Sequence, residues 1–174
     1  MELKGAAYLY SLAAMAITFA GFSALLVGIR QAAGGRSSLL DRFLAKTILV
    51  QLFALAAGAL LPPLLALYDV PEVWLWRVAA VCFAIPMLAL LLTYPQRRRK
   101  AVGEGPPPVV FAVFVVLGSA TVAVMLICIL IGFQYEAGAY ATALTVIFFT
   151  DALGFIAALD VIMRLPVDSN EGLG

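Results

Sequence analysis

The chain has 174 residues, 64% of them hydrophobic and only 12% charged, with a mean hydropathy of +1.07 and a net charge of +1. A soluble domain carries about twice that share of charge, so the composition points to an integral membrane protein whose first partner is the lipid bilayer. The near-neutral charge gives no ground for a nucleic-acid partner, and the absence of histidine excludes a bis-His haem, an H-E-x-x-H zinc site, a Ser-His-Asp triad and a Cys-His dyad.

Five apolar stretches run over 6–29, 43–67, 71–94, 107–133 and 138–163. Each is long enough to cross a hydrocarbon core, which takes about 20 helical residues. Backbone groups in lipid need partners within their own segment, so the fold class is all-α: a five-span transmembrane helical bundle forming a single domain over residues 1–174. The opening "MELKG" lacks the positive region of a signal peptide, and the apolar run after it is too long for one, so the first span is expected to stay on the protein.

The first span carries Ser11, Ala14, Thr18, Gly21 and Gly28 on one three-and-four-spaced stripe, the small-residue pattern of close helix packing. A basic connection follows, with Arg30, Arg36 and Arg42. The second span holds Lys46 near its start and Thr47, Gln51, Ala54 and Gly58 on one face; "LLPPLLALY" places Pro62-Pro63 where the helix stops or bends.

"YDVPEVW" reads as a tight hairpin in which Asp69 is an N-cap, Pro71 lies in the first turn and Glu72 closes a capping box. In the third span, Arg77 is expected to snorkel toward Asp69, Glu72 or Glu136, and Pro86 to kink the helix. Cys82 and Cys128 stand alone in apolar runs, with no C-x-x-C, and read as small buried hydrophobes. After Tyr94-Pro95 comes "RRRK", Arg97, Arg98, Arg99 and Lys100. Four adjacent cations act as a stop signal and also suit contact with anionic lipid headgroups at the cytoplasmic face, at about 1 kcal/mol each.

The fourth span, with "LGSATVAV", sets Gly118, Ser119 and Thr121 near its centre, and "QYEAGAY" forms a second hairpin. The order of one helix and two hairpins hints at a repeat, but no residue-level match supports it. The fifth span, "TVIFFTDALGFIAALDVIMR", contains the most informative residue, Asp151. Counting from Tyr140 to Arg164 puts it near the bilayer midplane, where an aspartate costs about 2.5–3.5 kcal/mol to insert. Its face includes Ile147, Gly154 and Ala158, and Gly154-x-x-x-Ala158 is a packing motif, so Asp151 is expected to point into the bundle. Asp160 lies nine residues on, on the opposite side of the helix, and is expected to pair with Arg164 and Lys46 at the inner interface. Two aspartates facing apart, neither in a Gly-x-Gly-Asp context, exclude an intramembrane aspartyl protease. The tail 165–174 is expected to be a mobile cytoplasmic segment.

Orientation follows from the cations. Arg30, Arg36, Arg42, Lys46, Arg97, Arg98, Arg99, Lys100 and Arg164 fall on one side, leaving Lys4 and Arg77 on the other, which puts the amino terminus outside and the carboxyl terminus in the cytoplasm. Tyr8, Tyr10, Tyr68, Trp74, Trp76, Tyr135 and Tyr140 form an aromatic belt at the outer face, with Tyr94 as the exception.

A polar layer of Asp151, Thr18, Gln51, Ser119 and Thr121 is therefore expected at mid-membrane. It fits two roles: binding a proton or cation, as in transporters, or fixing helix register through interhelical hydrogen bonds worth about 0.5–2 kcal/mol. The expected function is an oligomeric proton or cation channel or transporter, with no catalytic residue, metal or cofactor. The alternative is a non-catalytic subunit or scaffold binding another membrane protein; a lipid-handling enzyme using Asp151 or Asp160 has no supporting motif. The Ala-, Gly- and Arg-rich composition fits a bacterial inner membrane.

Overall fold

The computed structural model describes residues 3, 5–32, 39–132 and 134–163. Lys4, Arg36, Arg164 and the tail 165–174 lie outside these residues; Asp160 is placed on its helix by backbone alone, so its ion pair with Arg164 and Lys46 lies outside them too. All five expected spans are helices: α1 (Ala6–Ala32), α2 (Leu39–Ala66), α3 (Glu72–Val102), α4 (Pro108–Leu130) and α5 (Glu136–Met163). Within α4, Phe111–Leu117 forms a π-helical stretch between two α-helical parts.

The most buried helix is α2, which packs against α1, α3 and α5, while α4 packs against α3 and α5. The core is built at helical spacing: Leu9, Leu12, Ala13, Ala16 and Ala20 of α1 face Leu52, Leu55, Ala56 and Ala59 of α2, and Leu75, Ala79, Phe83 and Met87 of α3 close the other side. Alanines alternate with larger side chains along these faces. Apolar side chains gain nothing by leaving lipid, so close backbone approach and dispersion hold the helices together.

Pro62-Pro63 does not stop α2. Pro62 has no N–H to give to the carbonyl four residues earlier, that of Gly58. The Tyr140 hydroxyl of α5 donates to that carbonyl instead, at 2.8 Å, so the helix continues to Ala66. Gly58 is a close-approach position: the Phe83 ring fills the space that a Cβ would take. Tyr140 itself is fully buried, with its ring 5.8 Å from that of Trp76 and 6.2 Å from that of Phe83. Both Trp76 and Tyr140 thus belong to the core and not to the belt; Tyr8, Tyr10, Tyr68, Trp74 and Tyr135 are exposed.

Several local expectations are corrected. Asp69 is not the N-cap of α3: it adopts φ 52 in the turn, and Pro71 occupies the capping position without a side-chain hydrogen bond. The Arg77 guanidinium lies over the Trp74 ring, 5.7 Å from its centroid, in place of an acidic partner. Cys82 is exposed and Cys128 half-buried, so neither is a core residue. The third span does not end at 94; α3 runs on through Pro86 and Pro95 to Val102, where Gly103, at φ 84, caps it by donating its N–H to the Arg99 carbonyl.

Candidate functional site

Asp151 is 1% exposed, and its Oδ2 atom has no hydrogen-bond partner. Two more oxygens share that condition, Gln51 Oε1 on α2 and Ser119 Oγ on α4. Buried polar atoms are nearly always paired, and the alternative in hydrocarbon is costly. Three unpaired acceptors within one small bundle therefore call for a common explanation.

Helix register brings two of them within about one turn of each other. The contact of Tyr140 with Gly58 fixes α5 against α2. From Tyr140 to Asp151 is 151 − 140 = 11 residues, and from Gly58 back to Thr47 is 58 − 47 = 11. Eleven residues make three turns plus about 20°, a rise of about 16 Å. Asp151 therefore repeats the azimuth of Tyr140, facing α2 at the level of Thr47, one turn from Gln51. Thr47 and Gln51 are both buried. On the other side, Phe114 of α4 packs on Gly154, its ring occupying the volume that a Gly154 Cβ would need. That contact sets α4 against α5 with Ser119 five residues further along α4, near the depth of Asp151, since the two helices run antiparallel.

A cavity of about 160 Å³ reaches this region from the end of the bundle that carries the α1–α2 and α3–α4 connections. It is lined by Leu40, Leu44, Thr47, Ile48 and Gln51 of α2, Tyr94 and Arg98 of α3, Pro107, Val110 and Phe114 around the start of α4, and Gly154 of α5. Asp151 lies three residues before Gly154, about one helical turn along α5 from that lining residue. Three aromatic rings brace the wall: Phe43 and Tyr94 are 5.6 Å apart, and Tyr94 and Phe114 stack at 6.4 Å with an interplanar angle of 17°. Phe114 is the central residue of the π-helical stretch, a distortion that is frequent at functional sites.

Two of the expected layer residues are elsewhere. Thr18 is exposed on the outer side of α1 and donates to the Ala14 carbonyl at 2.8 Å; its neighbours on the stripe, Ser11, Ala14, Gly21 and Gly28, are exposed as well. Thr121 donates to the Leu117 carbonyl at 2.8 Å and lines a separate groove between α4 and α5. Each hydroxyl is satisfied within its own helix. Residues that the sequence reading did not place at the site are Thr47, Thr150, Tyr94, Arg98, Phe114 and Gly154. Thr150 is buried beside Asp151 and bonded to the Val146 carbonyl.

The basic run of α3 is divided. Arg98 is 8% exposed and donates to the Gly105 carbonyl, tying the α3–α4 connection to the cavity mouth. Arg97 donates to the Leu90 carbonyl at 2.7 Å, while Arg99 and Lys100 are exposed.

The chemistry available is that of oxygen acceptors: one carboxyl, one amide and one hydroxyl oxygen, near a mostly apolar cavity whose polar lining is Thr47, Gln51, Tyr94 and Arg98. Such a set accepts a proton, or a monovalent cation that keeps part of its water. Three oxygens fall short of the six to eight that a calcium ion takes. Comparison with family models, with curated proteins and with solved structures finds no match to this chain.

Proposed function

We propose that this protein is a small conduit, channel or transporter, for protons or a monovalent cation, with Asp151 as the binding or protonation site and Gln51 and Ser119 as auxiliary acceptors. The observation that carries the reading is the Asp151 carboxyl: buried, with one oxygen unpartnered, and one turn from a cavity that enters the bundle. An intramembrane acid that serves packing alone would be expected to have found a donor, and this one has none on Oδ2. The cation bias supports a cytoplasmic cavity mouth and an external amino terminus, and the Ala-, Gly- and Arg-rich composition supports a bacterial inner membrane. The five exposed belt aromatics at the other end agree with that orientation. Five helices enclose little volume, so the conducting unit is a homo-oligomer. The test is proton, sodium and potassium flux in proteoliposomes, wild type against Asp151→Asn at matched reconstitution. Flux lost in the variant supports the reading, and no flux of any of the three ions from the wild type overturns it.

One observation favours a second reading, a non-catalytic subunit binding another membrane protein. The stripe of Ser11, Ala14, Thr18, Gly21 and Gly28 faces away from the bundle, as a small-residue helix face does when it awaits a partner helix. Co-purification with a partner, together with wild-type behaviour of Asp151→Asn, would select it.

A further inference from the structure

Between α2 and α3, at the basic end of the bundle, lies an open groove of about 460 Å³, which borders the Asp151 cavity at Thr47. Its charged lining is cationic: Arg42 and Lys46 from α2, Arg97 and Lys100 from α3, beside the neutral Thr47 and with no acidic residue among the described lining. Phe43 and Ala101 supply apolar surface beside them. Helical spacing explains the arrangement. Arg42 and Lys46 are four apart on α2, and Arg97 and Lys100 three apart on α3, so each pair shares a face and the two faces meet. Arg98 and Arg99, though adjacent in sequence, turn away: Arg98 goes to the Gly105 carbonyl, and Arg99 lies alongside Gly105. The four-residue run is therefore not one patch. Half of it joins two cations of another helix.

Within this groove the Nε atom of Arg97 is buried and has no hydrogen-bond partner. The same guanidinium donates through Nη2 to the Leu90 carbonyl at 2.7 Å, so its remaining donor, set among further cations, favours an anion at this groove. The groove runs along the flank of two membrane-crossing helices, so an anion seated there has hydrocarbon directly beneath it. A headgroup phosphate with attached acyl chains fits that geometry, its oxygens taking the Arg97 and lysine donors and its glycerol end lying on Phe43 and Ala101. We propose that the α2–α3 groove binds the phosphate of an anionic membrane lipid, through Lys46, Arg97 and Lys100 with Arg42 at the rim.

The test is native mass spectrometry of the full chain in neutral detergent, titrated with phosphatidylglycerol and, in parallel, with phosphatidylcholine. Wild type should retain phosphatidylglycerol in preference to phosphatidylcholine. Lys46→Gln and Lys100→Gln, both at exposed positions, should each weaken phosphatidylglycerol binding by about five-fold, and Arg99→Gln, the same charge change outside the groove, should leave it unaltered. Equal loss in Arg99→Gln would reduce the effect to general surface charge and overturn the site. Complete displacement of the lipid by millimolar inorganic phosphate would make it a site for a free anion and overturn the lipid assignment. Equal retention of phosphatidylcholine would overturn it as well.

Discussion

The Tyr140 hydroxyl reaches across from α5 to the Gly58 carbonyl of α2 at 2.8 Å, and that carbonyl is the one that Pro62, four residues on, leaves without an intrahelical donor. One side chain thus repairs a proline break in a neighbouring helix and sets the register that carries Asp151 to the level of Thr47 and Gln51. In lipid no water can substitute, so the repair matters more than it would in a soluble bundle.

Tyr140→Phe should lower stability by about 1 kcal/mol, the usual net worth of such a bond. In a Pro62→Ala background the alanine N–H can serve Gly58, and the loss on adding Tyr140→Phe should shrink by about half or more. A double-mutant cycle of unfolding in detergent measures the difference. Equal losses in both backgrounds would show that Tyr140 contributes through packing against Trp76 and Phe83 alone.

Asp151→Leu should raise the melting temperature while abolishing flux. A buried carboxyl oxygen without a donor costs about 1–3 kcal/mol, and a leucine of similar size removes that cost, consistent with a group retained for activity at the expense of stability. Thermal unfolding followed by circular dichroism reads the first effect and liposome flux the second. A lower melting temperature would instead mark Asp151 as a residue that holds helices together.

Phe114 lies on Gly154 in the cavity wall, about one turn from Asp151. Phe114→Ala removes the ring from Gly154 and should raise flux. Gly154→Leu puts a side chain where that ring lies and should lower flux several-fold, with a stability loss of about 1–3 kcal/mol for overpacking. Matched proteoliposome assays decide; flux indifferent to both would place the route elsewhere.

The five spans were legible in hydropathy because length and apolarity alone define them. Their ends were less so. The basic run after Tyr94 reads as a loop, yet Arg97 and Arg98 bond to the Leu90 and Gly105 carbonyls and the helix persists to Val102. Which face turns inward was the weakest inference. Spans that are apolar all round carry little amphipathic contrast, so the stripe with Thr18 looked as fit for the core as the face with Leu9, Leu12 and Ala16, which is the buried one. Asp151 and Gln51 were correctly expected inside because a strongly polar side chain has nowhere else to go at mid-membrane, whereas a threonine can bond its own helix and face lipid, as Thr18 and Thr121 do.

The separation of Tyr140 from Gly58, 82 residues along the chain, has a consequence for biogenesis. During synthesis α2 emerges with its proline pair well before α5 exists, so the Gly58 carbonyl enters the bilayer open and stays open while three further helices are made. Arrival of α5 both gives the Gly58 carbonyl its donor and delivers Asp151. A nascent chain truncated before Tyr140 would therefore keep that carbonyl open, and the acidic site would form only in molecules in which α5 has reached α2.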